Sequence, residues 1–148
     1  MKQAFSVLIS IYRKENPIWL REALDSVFAQ TVQPDEIVLV KDGPLTAELE
    51  SVINEYAFSH PIFNIVVNET NLGLGLALQK GVLACKNEII ARMDTDDIIA
   101  KDRFEKQLVK MEEGYDVVSC WSRLFLDRPD NIIAIKQRPE NHDDIVRL

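Results

Sequence analysis

The sequence predicts an α/β fold: a mostly parallel, twisted sheet with helices on both faces. Three observations carry this. Short apolar runs of the kind buried on both faces recur at Phe5–Ile11, Glu36–Val40, Phe63–Val67 and residues 88–93. Between them, apolar residues fall at helical spacing. The joints are short and rich in Asn, Asp, Gly and Pro. Strand and helix in alternation require crossover connections, and these cover the sheet.

Each element follows from local chemistry. After the first strand, Asn16-Pro17 supplies an N-cap and a first-turn proline, and Leu20, Ala23, Leu24, Val27 and Phe28 mark a helix. Gln33-Pro34-Asp35 ends it, and Glu36–Val40 is the second strand. Asp42-Gly43-Pro44 turns the chain into a helix marked by Leu45, Leu49, Val52, Ile53 and Tyr56. The third strand ends at Asn68-Glu69-Thr70-Asn71, a helix follows near 73–84, and the fourth strand covers 88–93. A helix from about 101 to 113 is expected to bury Phe104, Leu108 and Met111. Residues 116–121, Asp-Val-Val-Ser-Cys-Trp, predict a fifth strand completing the core. Beyond it, 124–136 fits a hairpin around Arg128-Pro129-Asp130-Asn131, and Asn141-His142-Asp143-Asp144 fits a helix cap. The chain stops in mid-element, as a truncated sequence would.

A length of 148 residues suits one domain with its own core. The 47% apolar and 28% charged content is that of an ordinary globular protein. No run is long enough to span a bilayer, and the N-terminus has no signal-peptide pattern, which predicts a cytoplasmic location. A formal charge of −7 argues against nucleic acid as a partner, because neutralising its phosphates needs clustered Lys and Arg. Cys85 and Cys120 stand apart and are expected to be buried thiols rather than zinc ligands.

Chemistry-bearing residues gather at the C-terminal ends of predicted strands: Ser10 and Tyr12 after the first, Asp42 after the second, Asp94-Thr95-Asp96-Asp97 after the fourth. In a parallel sheet these ends line one crevice. Three carboxylates within four residues repel one another and call for a hard divalent cation such as Mg²⁺ or Mn²⁺. The same residues also fit a helix N-cap with an acidic first turn. A calcium loop fails, since Ile98 and Ile99 occupy positions that need an oxygen ligand and a glycine. A phosphatase-type Asp-x-Asp belongs on a first strand, not a fourth, and stays a minor alternative. Asp42 can accept from a base N–H or a ribose hydroxyl, or simply bond within its turn. Gly73, in Asn71-Leu72-Gly73, allows a close backbone approach. Lys80 and Lys101 can face phosphates, although solvated helix lysines are commoner.

Taken in order, Phe5–Tyr12, Leu24–Thr31 (ending Gln-Thr), Glu36–Gly43, Asn71-Leu72-Gly73 with Gly81, and Met93–Asp97 resemble the motifs of family-2 glycosyltransferases of the GT-A fold. Bacterial enzymes of capsule, exopolysaccharide and lipopolysaccharide synthesis are the nearest type. The resemblance implies a Rossmann-like nucleotide-binding half over residues 1–121, with 122–148 beginning an incomplete acceptor side. It implies that Ser10, Tyr12, Asp42, Gly73 and Asp94 contact a nucleotide-diphosphate sugar, with Asp42 reading a uracil edge. Asp96, with Asp94 and Asp97, would hold Mn²⁺ or Mg²⁺. The acceptor would be a saccharide, free or lipid-linked, with peripheral membrane association of the full-length enzyme. The departures are Lys41 for the first acid of Asp-Asp-Gly, Pro44 for Ser, and Leu78 in place of an arginine. The family's catalytic base has no match here and is expected beyond Leu148. A nucleotide-sugar-binding module without transferase activity is the alternative from another class.

Overall fold

The computed structural model describes residues 3–140 and Asp143. The elements are β1 (Phe5–Ile11), α1 (Pro17–Phe28), β2 (Glu36–Asp42), α2 (Ala47–Ser59), β3 (Phe63–Asn68), α3 (Leu74–Ala84), β4 (Ile89–Met93), α4 (Arg103–Glu112), β5 (Ser122–Phe125) and β6 (Ile132–Lys136). The chain divides into two compact units, residues 1–106 and 107–148.

In the first unit, β1 to β4 form a parallel sheet of order β3-β2-β1-β4. The two central strands are buried almost throughout, which is why they read as continuous apolar runs rather than alternating ones. On one face Leu8, Val38 and Val40 pack with Ala77 of α3, joined by Val66, Leu78 and Ile90. The alternate residues Val7, Ile9, Ile37 and Leu39 are equally buried and point to the other face. Right-handed crossovers put α1 and α2 there and α3 opposite. Phe28 stacks on Tyr56 across α1 and α2, the Tyr56 hydroxyl donates to Asp25, and Arg21 grips Glu55 through two 2.7 Å hydrogen bonds.

Local signals place the helix starts. The Asn16 side chain accepts from the Ile18 N–H at 2.8 Å, with Pro17 in the first turn as expected. Thr46 does the same for Leu49 at 3.3 Å.

Three expectations need correction. Residues 116–121 form no strand, and Val117 and Trp121 are exposed. A short apolar run has strand propensity but does not by itself specify a pairing partner. The fourth helix starts at Arg103 and buries Phe104, while Leu108 and Met111 are only half-buried. Cys85 is half-buried and Cys120 exposed, so the pair are not core thiols. Lys80 is exposed on α3, as a solvated helix lysine would be, and its Nζ donates to Asn68 Oδ1 at 2.7 Å and to the Val67 carbonyl. The expected hairpin is present in the second unit as β5 and β6, antiparallel, with Asp127 at φ 63 in its turn. The cap expected at Asn141–Asp144 lies outside the described residues, Asp143 apart.

One buried acid ties the N-terminal edge of the sheet together. Glu36 accepts from the Ser6 hydroxyl at 2.6 Å, the Lys86 N–H at 2.9 Å and Asn64 Nδ2. Burial pushes its carboxyl up, but those donors and the Lys86 charge outweigh burial and hold it below the usual range. A depressed folded value contributes stability above the unfolded pKa and loses it as pH falls through the folded one. We expect Glu36→Gln to lower stability by about 1–2 kcal/mol near neutrality. In urea melts taken from about pH 6 to about pH 3, the gap to wild type should shrink as the native carboxylate protonates. A gap that stays constant would show that the charge plays no part.

Candidate functional site

The strand order makes one crevice special. From β1 the chain steps to β2 and β3 on one side, then returns so that β4 lies on the other side of β1. The strand order thus reverses at β1, and open α/β sheets bind ligands outside the carboxyl ends of the strands where the order reverses. Register aligns the strand ends: Ile9 pairs with Met93, so Ser10, still within β1, lies level with Asp94 just past the end of β4. Ser10 in turn pairs with Val40, two residues before Asp42.

Ser10 is half-buried, and Tyr12 just beyond it is 38% exposed. Asp42 is different. Its carboxylate is buried, and Oδ1 accepts from Asn68 Nδ2 and the Leu72 N–H, both at 2.9 Å. Oδ2 accepts from the Gly73 N–H, also at 2.9 Å. Asp42 thus holds the loop ahead of α3, and a carboxylate with about four lone-pair sites keeps one on Oδ2 for anything else. Gly73 caps α3 at φ +87. The close approach in this loop belongs to Gly43, at φ +88, where a Cβ would come 2.8 Å from the backbone nitrogen of Asn71. Lys41, in the place of an acid, pairs with Glu50 at 2.6 Å.

In the acidic cluster, Thr95 is buried, Asp94 half-buried, and Asp96 and Asp97 are exposed. Asp97 is crowded enough to lose part of its hydration. That desolvation, with the charges of Asp94 and Asp96, raises its carboxyl above the usual range against the pull of Arg103 and Arg92. Such accumulated repulsion is what a divalent cation relieves. Asp94 is turned onto the Arg92 guanidinium, and among the described residues no three acidic, His or Cys side chains converge as a finished cation cage. A donor set of one or two carboxylates still fits Mg²⁺ or Mn²⁺, which complete their shells with water and ligand phosphates.

Two features escaped the sequence reading. Gln30, buried at the end of α1, donates to the Ser26 and Ala100 carbonyls and accepts from the Phe104 N–H. With Ser26 accepting from the Ile99 N–H and Thr31 bonded to Lys101 and Glu105, it ties the segment after the acidic cluster to α1. The available signal was a Gln-Thr pair ending an otherwise apolar helix face. The other is Arg92, a lone charge in an apolar strand. A depression of about 470 Å³ between the first turns of α1 and α2, bordered by Pro17, Ile18, Arg21 and Val52, contains none of these groups.

Comparison with known proteins agrees with this geometry. The family model described as Glycosyl transferase family 2 matches residues 6–144. The Amylovoran biosynthesis glycosyltransferase AmsE of Erwinia amylovora is 43% identical over 141 residues, covering 95% of this chain and 53% of that protein. The UDP-Gal:alpha-D-GlcNAc-diphosphoundecaprenol beta-1,3-galactosyltransferase of Escherichia coli is 39% identical over 140 residues, covering 93% of this chain and 50% of that protein. The chain therefore spans about half the length of these curated relatives. Among solved structures, the mannosyltransferase PcManGT of Pyrobaculum calidifontis in complex with GDP-Man and Mn²⁺ shares the fold at TM-score 0.64 and 22% identity, over 73% of this chain and 32% of that one.

Proposed function

The chain belongs to glycosyl transferase family 2, and from that premise we propose that it is the donor-binding portion of an enzyme moving a hexose from a nucleotide-diphosphate sugar to a saccharide. The observation that carries the reading is the acidic cluster at the C-terminal end of β4, level with Ser10 of β1, with Asp42 at the end of the next strand, β2. Ser10, Tyr12, Asp42, Gly73 and Asp94 take the nucleotide, and UDP is the proposed carrier. Residues 1–121 hold the donor and 122–148 begin the acceptor side.

Asp96 and Asp94, with Asp97 nearby, would hold Mn²⁺ or Mg²⁺; bound there, such an ion supplies Lewis-acid stabilisation of charge on the departing diphosphate. In the transfer itself, an acceptor hydroxyl attacks the anomeric carbon as the bond to the diphosphate breaks, and the nucleoside diphosphate leaves. The hydroxyl proton goes to a base, a role assigned to no residue described here. Two relatives frame the substrates: one is named for UDP-Gal and an undecaprenol-linked acceptor, the other for amylovoran synthesis. We place the acceptor among free or lipid-linked saccharides of cell-surface polysaccharides such as capsule or lipopolysaccharide. No helix among the described residues is long and apolar enough to cross a membrane, and the proposed location is cytoplasmic, at the inner membrane face when the acceptor is lipid-linked.

The test is a thermal-unfolding screen of nucleoside diphosphates with and without Mn²⁺. UDP at a hundred times its Kd should add about 2.7 kcal/mol to stability, and only with the metal present. A folded sample that no nucleoside diphosphate stabilises sinks the reading. Binding of UDP-sugars without release of UDP would instead favour a binding module.

A further inference from the structure

Resting on the donor-site reading above, we propose that Arg92 is a built-in counter-ion of the acidic cluster. It neutralises Asp94 until a divalent cation takes that carboxylate, and its guanidinium then turns to the donor's diphosphate.

Position comes first. Arg92 is the only charge in β4, one residue before its end. Ile90 packs against the cluster on the α3 side of the sheet. Strand alternation therefore sends Arg92 out on the same face, at the C-terminal edge. Its carbonyl accepts from Arg103 Nη2 at 3.0 Å, which steadies the backbone there. The side chain is about half-exposed, with a side-chain accessibility of 48% against 40% for Asp94.

Next comes the strength of the pair. An ion pair this open to water is weak and exchangeable, unlike a buried one. It nevertheless occupies one oxygen of Asp94, so a cation arriving alone must displace a guanidinium to use that oxygen. Arginine presents a planar fork of donors that matches a phosphate as well as a carboxylate. A divalent cation and a nucleotide-sugar diphosphate carry opposite and equal charge. Arg92 can therefore exchange one anion for the other with the site's net charge unaltered. The arrangement makes cation and nucleotide binding mutually dependent, since each supplies what the other displaces.

One substitution should move two affinities in opposite directions. By calorimetric titration of the 148-residue chain, Arg92→Met should bind Mn²⁺ alone about threefold to fivefold more tightly than wild type, the worth of an exposed ion pair. With Mn²⁺ saturating, the same variant should bind UDP about tenfold more weakly, having lost a charge-assisted hydrogen bond. Arg92→Lys, which keeps the charge but not the fork, should stay near wild type for Mn²⁺ and lose part of the UDP affinity. A residue that only supports the fold would weaken both titrations, and a bystander would change neither; either result overturns the role of Arg92. A wild-type chain that binds no UDP with Mn²⁺ would overturn the donor-site reading itself, and this inference with it.

Discussion

Replacing Asp42 with alanine is expected to lower the unfolding free energy by about 3–5 kcal/mol, a large share of the ~5–15 kcal/mol that holds a typical domain. Three donors lose their acceptor at once: the Asn68 amide and the backbone N–H groups of Leu72 and Gly73. The site is buried, so water cannot readily replace the carboxylate, and each orphaned donor carries its own desolvation cost. Asp42→Asn should cost less. Its oxygen can keep Asn68 and Leu72, while its NH₂ faces the Gly73 N–H donor to donor. Urea unfolding of both variants checks this ordering. An alanine variant within about 0.5 kcal/mol of wild type would mean that the loop is held by something else. The consequence for function follows from the same bonds. The loop carrying Asn71, Leu72 and Gly73 leads into α3, so a variant that still folds should also show weakened UDP binding.

Much of this was legible in the sequence because burial on both faces leaves a plain mark. Phe5–Ile11 and Glu36–Val40 are apolar but for Ser6, Ser10 and Glu36 because helices cover both sides of a parallel strand, and Asn16-Pro17 announces its helix through local capping alone. Residues 116–121 look the same in composition, yet strand formation depends on a partner edge that no local pattern encodes. The candidate site divides along similar lines. Asp94 and Asp96 stand out through their spacing and their place after a strand. The partners of Asp42 lie 26 to 31 residues away and meet it only through the β2–β3 register. Gln30 reads as an ordinary helix-end polar residue until the fold brings Ala100 and Phe104 to it, seventy or more positions on. Arg92 was visible as a charge within an apolar run, but its meaning depends on which face of the sheet it leaves.

Gly81→Ala tests the tightest packing in the fold, and its sign depends on a competition. Within a helix, glycine to alanine is intrinsically worth about 1 kcal/mol of stability. At Gly81, however, a Cβ would sit 2.3 Å from Leu8 Cδ1 and 2.9 Å from Val40 Cγ2. Leu8 is buried and Val40 is stiff at χ1, so neither yields cheaply. Overpacking of this kind costs about 1–3 kcal/mol, and a contact this short belongs at the upper end. The expected net loss is about 1–2 kcal/mol, measured by urea unfolding. Leu8→Ala alone should cost about 2–5 kcal/mol by leaving a cavity beneath α3. In that background the clash with Leu8 is gone and the new methyl fills part of the space. Adding Gly81→Ala should then cost less than it does in the wild type, since only the contact with Val40 remains, which gives a coupling of about 1 kcal/mol in a double-mutant cycle. Additive effects would mean that α3 does not lie against β1 as closely as the packing of Leu8 and Ala77 requires. The same closeness fixes the height of the α3 N-terminus over the sheet, and with it the distance from the Gly73 loop to the ends of β1 and β4. A clash at Gly81 that lifts α3 without unfolding it should therefore also reduce affinity for UDP and Mn²⁺, although Gly81 itself is packed against Leu8 and Val40 inside the core.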